Sequence, residues 1–453
     1  MSIPKLFDAQ KKRIEFFSKQ KRTLDTSDPG TGKTRVYLEV FAQRRAQGSG
    51  AMLVLAPKSL LEAAWTEDIQ KFTPWLRHSV AYASNRQEAF EKKADVYITN
   101  IDAARWLSEQ QSSFFTKFDT LCIDEFTAFK HRTSGRSSAM RKIVKYFMFR
   151  HGMSGTPNTN SILDLWHPMF LIDDGKRLGT SFFRFRHSVC ESRQVGPLPH
   201  MKQWVDKPGV ENAVAQLIAD ISMRFSLEDC VDIPSNRTRA VPYWPSAKTL
   251  TAYESMRTQL LAMIENEEVS AANAAVLQGK LLQISSGAVY SSEDKYVVVD
   301  TARYDLIADL ILERSHSVVF FLWKHQKEEI VKALRRKDKN AEVAIMDATT
   351  PEKQRNDYIK GFQNGFFRCL LCHPKTAAHG LTLTKANATI WCSPTSDLEW
   401  WKQGYHRIVR AGQDKKTETL VVTARNTLEP SVYEHRLAGK AARMDNLLEI
   451  LKQ

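Results

Sequence analysis

Eight residues near the N-terminus, Ser27-Asp28-Pro29-Gly30-Thr31-Gly32-Lys33-Thr34, constrain this chain more than any other segment. A glycine-rich turn running into Gly-Lys-Thr lets backbone N–H groups wrap the phosphates of a nucleotide. In that arrangement Lys33 reaches the β- and γ-phosphates and the Thr34 hydroxyl ligates Mg²⁺. The strict pattern asks for glycine where this chain has Ser27, so a glycine-rich turn of some unrelated enzyme is the plain alternative.

The segments that follow alternate between short apolar runs and stretches of helical period, the pattern of a parallel sheet wrapped by helices. AMLVLAP (51–57) reads as a strand and SLLEAAWTEDIQKF (59–72) as a helix with Ser59 at its N-cap. DVYITN (95–100) and FDTLCIDE (118–125) read as further strands, and KRTLDT, just before the glycine-rich loop, as a weak one. Residues 158–240 read as mostly helical or irregular and carry a basic-aromatic stretch, Ser181-Phe182-Phe183-Arg184-Phe185-Arg186-His187. Alternation resumes in the last third with SVVFFLW, AEVAIMD, RCLLC, ATIWC and TETLVVT as strands. The expected organisation is α/β: one lobe over residues 1–160, a helical insertion over 161–240, and a second lobe over 241–453 with a helical entry segment.

Leu121-Cys122-Ile123-Asp124-Glu125 ends one of these strands in two carboxylates. Beside a phosphate loop, Asp124 is placed to hold Mg²⁺ and Glu125 to orient or deprotonate a water for in-line attack on the γ-phosphate. An isolated Asp-Glu pair is otherwise a solvated strand end.

Lys and Arg number 65 against 51 Asp and Glu, a formal charge of +14. That balance favours a polyanionic partner, nucleic acid before an anionic membrane surface, although a generic solubility charge would look the same. No apolar run approaches the ~18 residues a membrane span needs, and the N-terminal stretch lacks the apolar centre of a signal peptide. The expectation is a soluble, cytoplasmic protein. The six cysteines are scattered, as in a reducing compartment. Cys369-Leu370-Leu371-Cys372-His373 fits the haem-attachment spacing but reads better as a buried strand.

Taken in order, DPGTGKT, LVLAPKSLLEAAW, DVYITN, CIDEFTAFKH, MSGTPNTN and QGYHRIVRAGQ resemble the motifs of superfamily-two helicases and translocases. Within them the chain is most similar to the Swi/Snf-like branch, especially its short bacteriophage-encoded members. DLWHPMFLIDDGKRLG, directly after SGTPN, is typical of that branch. The resemblance covers nearly the whole chain and implies two RecA-like lobes, with ATP between them and nucleic acid crossing both. It would place a phage-encoded member in the host bacterial cytoplasm.

The resemblance also implies roles for single residues. Asp28, Pro29, Gly30, Thr31, Gly32, Lys33 and Thr34 would form the ATP-binding loop, and Gln10 would contact adenine. Thr34 and Asp124 would hold Mg²⁺, with Glu125 as the water-activating carboxylate. Ser154, Gly155 and Thr156 would couple hydrolysis to lobe movement; read alone, Ser154 to Pro157 need only be a tight turn. Gln403, Arg407 and Arg410 match the arginine-finger motif. A guanidinium from the second lobe can stabilise charge spread over the γ-phosphate oxygens. Arg407 and Arg410, three apart, would share one helix face. His406 stands where the family usually has glycine. Lys375 to Leu383 resembles the segment linking nucleic-acid contact to the finger, with Thr376 as a contact and Gly380 as its surviving turn. Lys58, Ser59, Thr99 and Asn100 fall where the first lobe touches phosphates, each of which could equally be a cap or loop residue.

The reading is a DNA-stimulated ATPase that translocates on duplex DNA. A strand-separating DNA or RNA helicase is the first alternative, and it would need a wedge or pin that residues 158–240 do not announce. A non-catalytic nucleotide-gated binding module is the second, and the presence of Lys33, Glu125 and both arginines speaks against it.

Overall fold

The computed structural model describes residues 3–158, 160–194, 202–265, 271–290, 295–377, 381–437, 439, 440 and 444. They form two compact units that part between Asp232 and Ile233.

In the first unit the strands are β1 (Arg22–Asp25), β2 (Ala51–Ala56), β3 (His78–Ala81), β4 (Val96–Asn100), β5 (Phe118–Asp124), β6 (Phe149–Met153), β7 (Cys190–Gln194), β8 (Lys202–Asp206) and β9 (Ser222–Met223). Seven of them make one sheet in the order β3-β4-β2-β5-β6-β1-β9, parallel at every pairing. Alternate side chains of one strand enter opposite faces, because the strand period is two. Leu53 and Leu55 of β2 join Leu121 and Ile123 of β5 in one core. Met52, Val54 and Ala56 join Cys122 in the other. A sheet buried on both sides needs such near-continuous apolar strands.

This sheet decides where the chemistry sits. Neighbouring strands β5, β6 and β1 run the same way, so their carboxyl ends lie side by side. These ends lead into Glu125, Ser154 and the glycine-rich loop, the usual place for a ligand in an open α/β sheet.

Helices Trp166–Asp173, Phe182–Val189 and Val210–Ile218 supply Met169, Phe185, Val214 and Ile218 to the first core. By contact, the segment between the two expected lobes therefore packs with the first unit. It also contains a two-stranded antiparallel hairpin, β7 with β8, that its composition did not suggest.

In the second unit the strands are β10 (Asn236–Tyr243), β11 (Ala288–Tyr290), β12 (Tyr296–Val298), β13 (Ser317–Phe320), β14 (Val343–Met346), β15 (Cys369–Cys372), β16 (Ala388–Trp391) and β17 (Thr417–Ala424). Six form a parallel sheet in the order β10-β17-β16-β13-β15-β14, and β11 pairs with β12 as a separate hairpin. Pro242 is tolerated because β10 is an edge strand. Helices Ala247–Glu265 and Ala271–Ser285 lead into this sheet from the amino-terminal side of the chain. Arg303, fully buried, ties the unit together by donating to the Cys392 carbonyl, the Ser285 carbonyl and the Glu429 carboxylate.

The architecture is thus the expected α/β pair of lobes, each a parallel sheet flanked by helices. Two local expectations fail. Ser59 is not an N-cap, because the chain enters a wide π-type turn, Leu61–Thr66, before the α-helix Glu67–Phe72, and Leu60 holds the cap position. Arg407 and Arg410 do not share a helix face, because helix Leu398–Tyr405 ends before either of them. Cys369 and Cys372 lie fully buried within β15, where they pack as small hydrophobes.

Candidate nucleotide site and its relatives

The glycine-rich loop begins as β1 ends at Asp25 and closes at Gly32, where helix Lys33–Ala46 starts. Gly30 and Gly32 have φ of 87° and 75°, a left-handed backbone that side chains resist. Space excludes a side chain at Gly32 as well, since a Cβ there would lie 2.2 Å from Gln10 Nε2. Gln10 is buried against the loop, and its Oε1 accepts from Phe7 N at 3.0 Å. Pro29 meets the next motif in the same way: a Cβ on Gly155 would lie 2.8 Å from Pro29 Cδ.

Lys33 turns its ammonium back onto the loop, donating to the carbonyls of Ser27 (2.7 Å) and Asp28 (3.0 Å). Burial lowers its pKa, while the carboxylates of Asp25, Glu125 and Asp124 act in the opposite sense. Behind the loop Arg13 and Asp25 form a fully buried ion pair at 3.0 Å, and Arg13 also donates to the Thr31 carbonyl at 2.5 Å. Removing one partner of such a pair typically costs about 3–5 kcal/mol, so these two residues hold the loop from beneath.

Asp124 is buried and accepts from Trp65 Nε1 at 3.0 Å. Burial, and then the neighbouring Glu125 charge, raise its pKa to about 7. Its oxygen is a hard donor held where negative charge is poorly tolerated, and a hard cation such as Mg²⁺ suits it. Glu125 adopts φ 58°, a strained conformation for a residue with a side chain, and such strain collects at functional sites. Its Oε1 accepts from Thr127 Oγ1 at 3.0 Å and, very closely, from Ser154 Oγ. Ser154 Oγ in turn accepts from Thr156 N at 3.1 Å. One hydroxyl therefore joins the carboxylate after β5 to the turn after β6.

In the second unit, the Arg407 guanidinium donates from Nε to the Gln403 carbonyl (2.8 Å) and from Nη1 to the Leu381 carbonyl (3.0 Å). Arg410 Nη1 reaches the same Leu381 carbonyl at 2.9 Å. Both guanidinium groups therefore converge past the end of helix Leu398–Tyr405 without being stacked on it. Gln403 is buried and donates to Glu399 at 3.4 Å, while its Oε1 has no hydrogen-bond partner among the described residues. Gly404 permits the close packing of this segment, since a Cβ there would lie 2.7 Å from Trp391.

Two family descriptions match the chain: "Type III restriction enzyme, res subunit" over residues 4–159, and "Helicase conserved C-terminal domain" over residues 302–415. The first spans the glycine-rich loop, Asp124-Glu125 and Ser154, and the second ends just beyond Arg410. "Putative protein p41" of Acyrthosiphon pisum secondary endosymbiont phage 1 is 28% identical over 448 residues, 94% of each chain. "Putative ATP-dependent helicase/translocase YwqA" of Bacillus subtilis is 23% identical over 93% of this chain. "Chromodomain-helicase-DNA-binding protein 1-like" of Mus musculus is 22% identical over 96% of it. The chain is similar to superfamily-two helicases and translocases, including relatives of the Swi/Snf-like branch. The "Sulfolobus solfataricus SWI2/SNF2 ATPase core in complex with dsDNA" aligns over the whole chain at 20% identity, with a TM-score of 0.44.

The chain spans 46% of the Bacillus protein and 48% of the mouse protein. Similarity to these helicase families and to relatives named as ATP-dependent helicases supports an ATP-hydrolysing enzyme of the helicase and translocase class. Among the described residues, no helix is long and apolar enough to cross a membrane.

The positions expected to touch nucleic acid are treated unevenly by the fold. Lys58 and Ser59 are exposed just after β2. Asn100 is half-buried and accepts from Arg86 at 3.1 Å. Thr99 is fully buried and its hydroxyl donates to the Ala81 carbonyl at 2.7 Å, so its side chain is committed within the sheet. Thr376 lies in the short helix Pro374–Ala377, while Gly380 falls outside the described residues. Sequence reasoning missed Arg13, Trp65 and Arg224. Arg224 grips the loop residue Asp28 at 2.8 Å from 196 positions away, a pairing without any local signature.

Proposed function

We propose that this Swi/Snf-like chain is a DNA-stimulated ATPase that moves along duplex DNA. The observation that carries the reading is the Ser154–Glu125 hydrogen bond. It joins the residue proposed to position the attacking water to the segment proposed to respond to hydrolysis, so that a shift of one bears on the other.

Gln10 would read the adenine, and residues 28–34 would cradle the phosphates, with Lys33 exchanging loop carbonyls for β- and γ-phosphate oxygens. Thr34 and Asp124 would hold Mg²⁺, which when bound neutralises phosphate charge and orients the γ-phosphate. Glu125 would take the proton of the attacking water. Arg407 or Arg410 would meet charge developing on the γ-phosphate. Lys58, Ser59, Asn100 and Thr376 would position a nucleic-acid backbone, and the +14 charge of the chain supports a polyanionic partner. The printed name of the mouse relative includes DNA binding, which favours DNA over RNA as that partner.

A motor that tracks a backbone gains affinity from counterion release rather than from base contacts. Fluorescence anisotropy with unrelated duplexes should therefore show binding that falls steeply with salt and differs little between sequences. A protein contacting about five phosphates of duplex DNA would lose roughly four to five decades of affinity per decade of salt. A flat salt response, or strong preference for one sequence, would contradict backbone tracking.

A further inference from the structure

The first unit ends in a strap laid along the glycine-rich loop. Beyond the two-residue strand β9, pairing with the loop continues: Thr26 N donates to the Met223 carbonyl and Asp28 N to the Phe225 carbonyl, each at 3.0 Å. Phe225 N donates back to Ser27 Oγ at 3.0 Å, and Leu227 N to Asp28 Oδ2 at 3.1 Å. Between them Arg224 forks, with Nη1 on the Thr26 carbonyl at 2.5 Å and Nη2 on Asp28 Oδ1 at 2.8 Å. Arg224 and Ser27 are buried.

Ser27 is the position at which the chain departs from the strict phosphate-loop pattern, which asks for glycine there. Its side chain has a partner that glycine could not offer: the hydroxyl is the acceptor for the strap's Phe225 N–H. Asp28, the next residue, has both carboxylate oxygens engaged by the strap. These are also the two residues whose carbonyls receive the Lys33 ammonium. The strap and the catalytic lysine thus grip the same two residues from opposite ends.

We infer that residues 223–227 form a positioning element of the nucleotide site, in which Arg224, acting through Asp28 and Ser27, holds the phosphate loop in its binding shape. Arg224 is a positioning residue, since it acts through the loop and not on the nucleotide. The inference rests on the ATP-binding reading of that loop. A loop held in shape before ATP arrives improves ground-state and transition-state binding alike. Losing the strap should therefore raise KM for ATP and leave kcat nearly unchanged.

The test is ATP binding, followed with a fluorescent ATP analogue, together with steady-state kinetics for Arg224→Ala, Arg224→Lys, Ser27→Gly and Ser27→Thr. Arg224→Ala should weaken ATP binding about tenfold or more, as expected for a lost charge-assisted hydrogen bond. Arg224→Lys should recover only part of this, because an ammonium cannot fork to two acceptors as a guanidinium does. Ser27→Gly, which restores the strict pattern and removes little volume, should weaken ATP binding several-fold, and Ser27→Thr, which keeps the hydroxyl, should not. Combining Arg224→Ala with Asp28→Ala should cost no more than the larger single change if the two act as one unit. If wild-type protein fails to bind the analogue, the phosphate-loop reading itself fails. If wild type binds and both Arg224→Ala and Ser27→Gly bind equally well, the strap is structural only and the inference is overturned. Equal losses for Ser27→Gly and Ser27→Thr would overturn it too.

Discussion

Glu125→Gln is expected to bind ATP with nearly wild-type affinity while turning it over about 10²–10⁴-fold more slowly, the usual worth of a positioned general base. Glutamine keeps the volume of the side chain, and its carbonyl oxygen can still accept from Thr127 and Ser154, so the turn at φ 58° should persist. Only the capacity to take a proton is lost. Lys33→Ala should behave in the contrary way, weakening nucleotide binding itself, because the ammonium that the loop carbonyls now hold is then missing. Binding measured separately from single-turnover hydrolysis distinguishes these outcomes. Near-wild-type turnover by pure Glu125→Gln would remove Glu125 from the chemistry.

Arg410→Ala should lower turnover by up to about 10³-fold or more at saturating nucleic acid, with ATP affinity nearly intact, as for other arginine fingers. A guanidinium that meets charge only as it develops contributes to the transition state and little to ground-state binding. The structure separates the two candidate arginines, which their spacing could not do. Arg407 is buried and doubly anchored, to the Gln403 and Leu381 carbonyls, and reads as the residue that shapes the turn. Arg410 is half-buried, with its pKa lowered by that burial, and Nη1 on the shared carbonyl at 2.9 Å. Arg407→Ala should therefore lower thermal stability as well as turnover, while Arg410→Ala should leave the melting temperature close to wild type. Full recovery of Arg410→Ala at excess DNA would mark it as an ordinary backbone contact.

Most of the candidate site is legible in the sequence because the chemistry proposed for it is local. Gly30, Gly32, Lys33 and Thr34 are consecutive or nearly so, and Asp124-Glu125 closes an apolar strand whose burial is written in its own residues. What the sequence hid is held by polar residues in buried places. Strand β6, Phe149–Met153, carries Arg150 and His151 and so lacks an apolar strand's signature, yet both are buried. His151 is satisfied by Thr23 at 2.7 Å and Arg44 at 2.8 Å, and Arg150 by Asp174 at 2.7 Å. That strand delivers Ser154, so the motif was readable while the element beneath it was not. Strand β9 is two residues long and takes its place only by pairing with β1, a long-range partner no local pattern reports. The cap expected at Ser59 failed for a related reason. A wide π-type turn at Leu61–Thr66 brings Trp65 to Asp124, and helical period alone does not distinguish that turn from a regular helix start.

The central claim is that ATP turnover is driven by duplex DNA, and steady-state ATPase assays with double-stranded DNA, single-stranded DNA and RNA as activators test it most directly. The account predicts low basal turnover that rises strongly with double-stranded DNA of any sequence, with single-stranded DNA and RNA well below it. Turnover that ignores all three, or that responds best to RNA or single-stranded DNA, would contradict it.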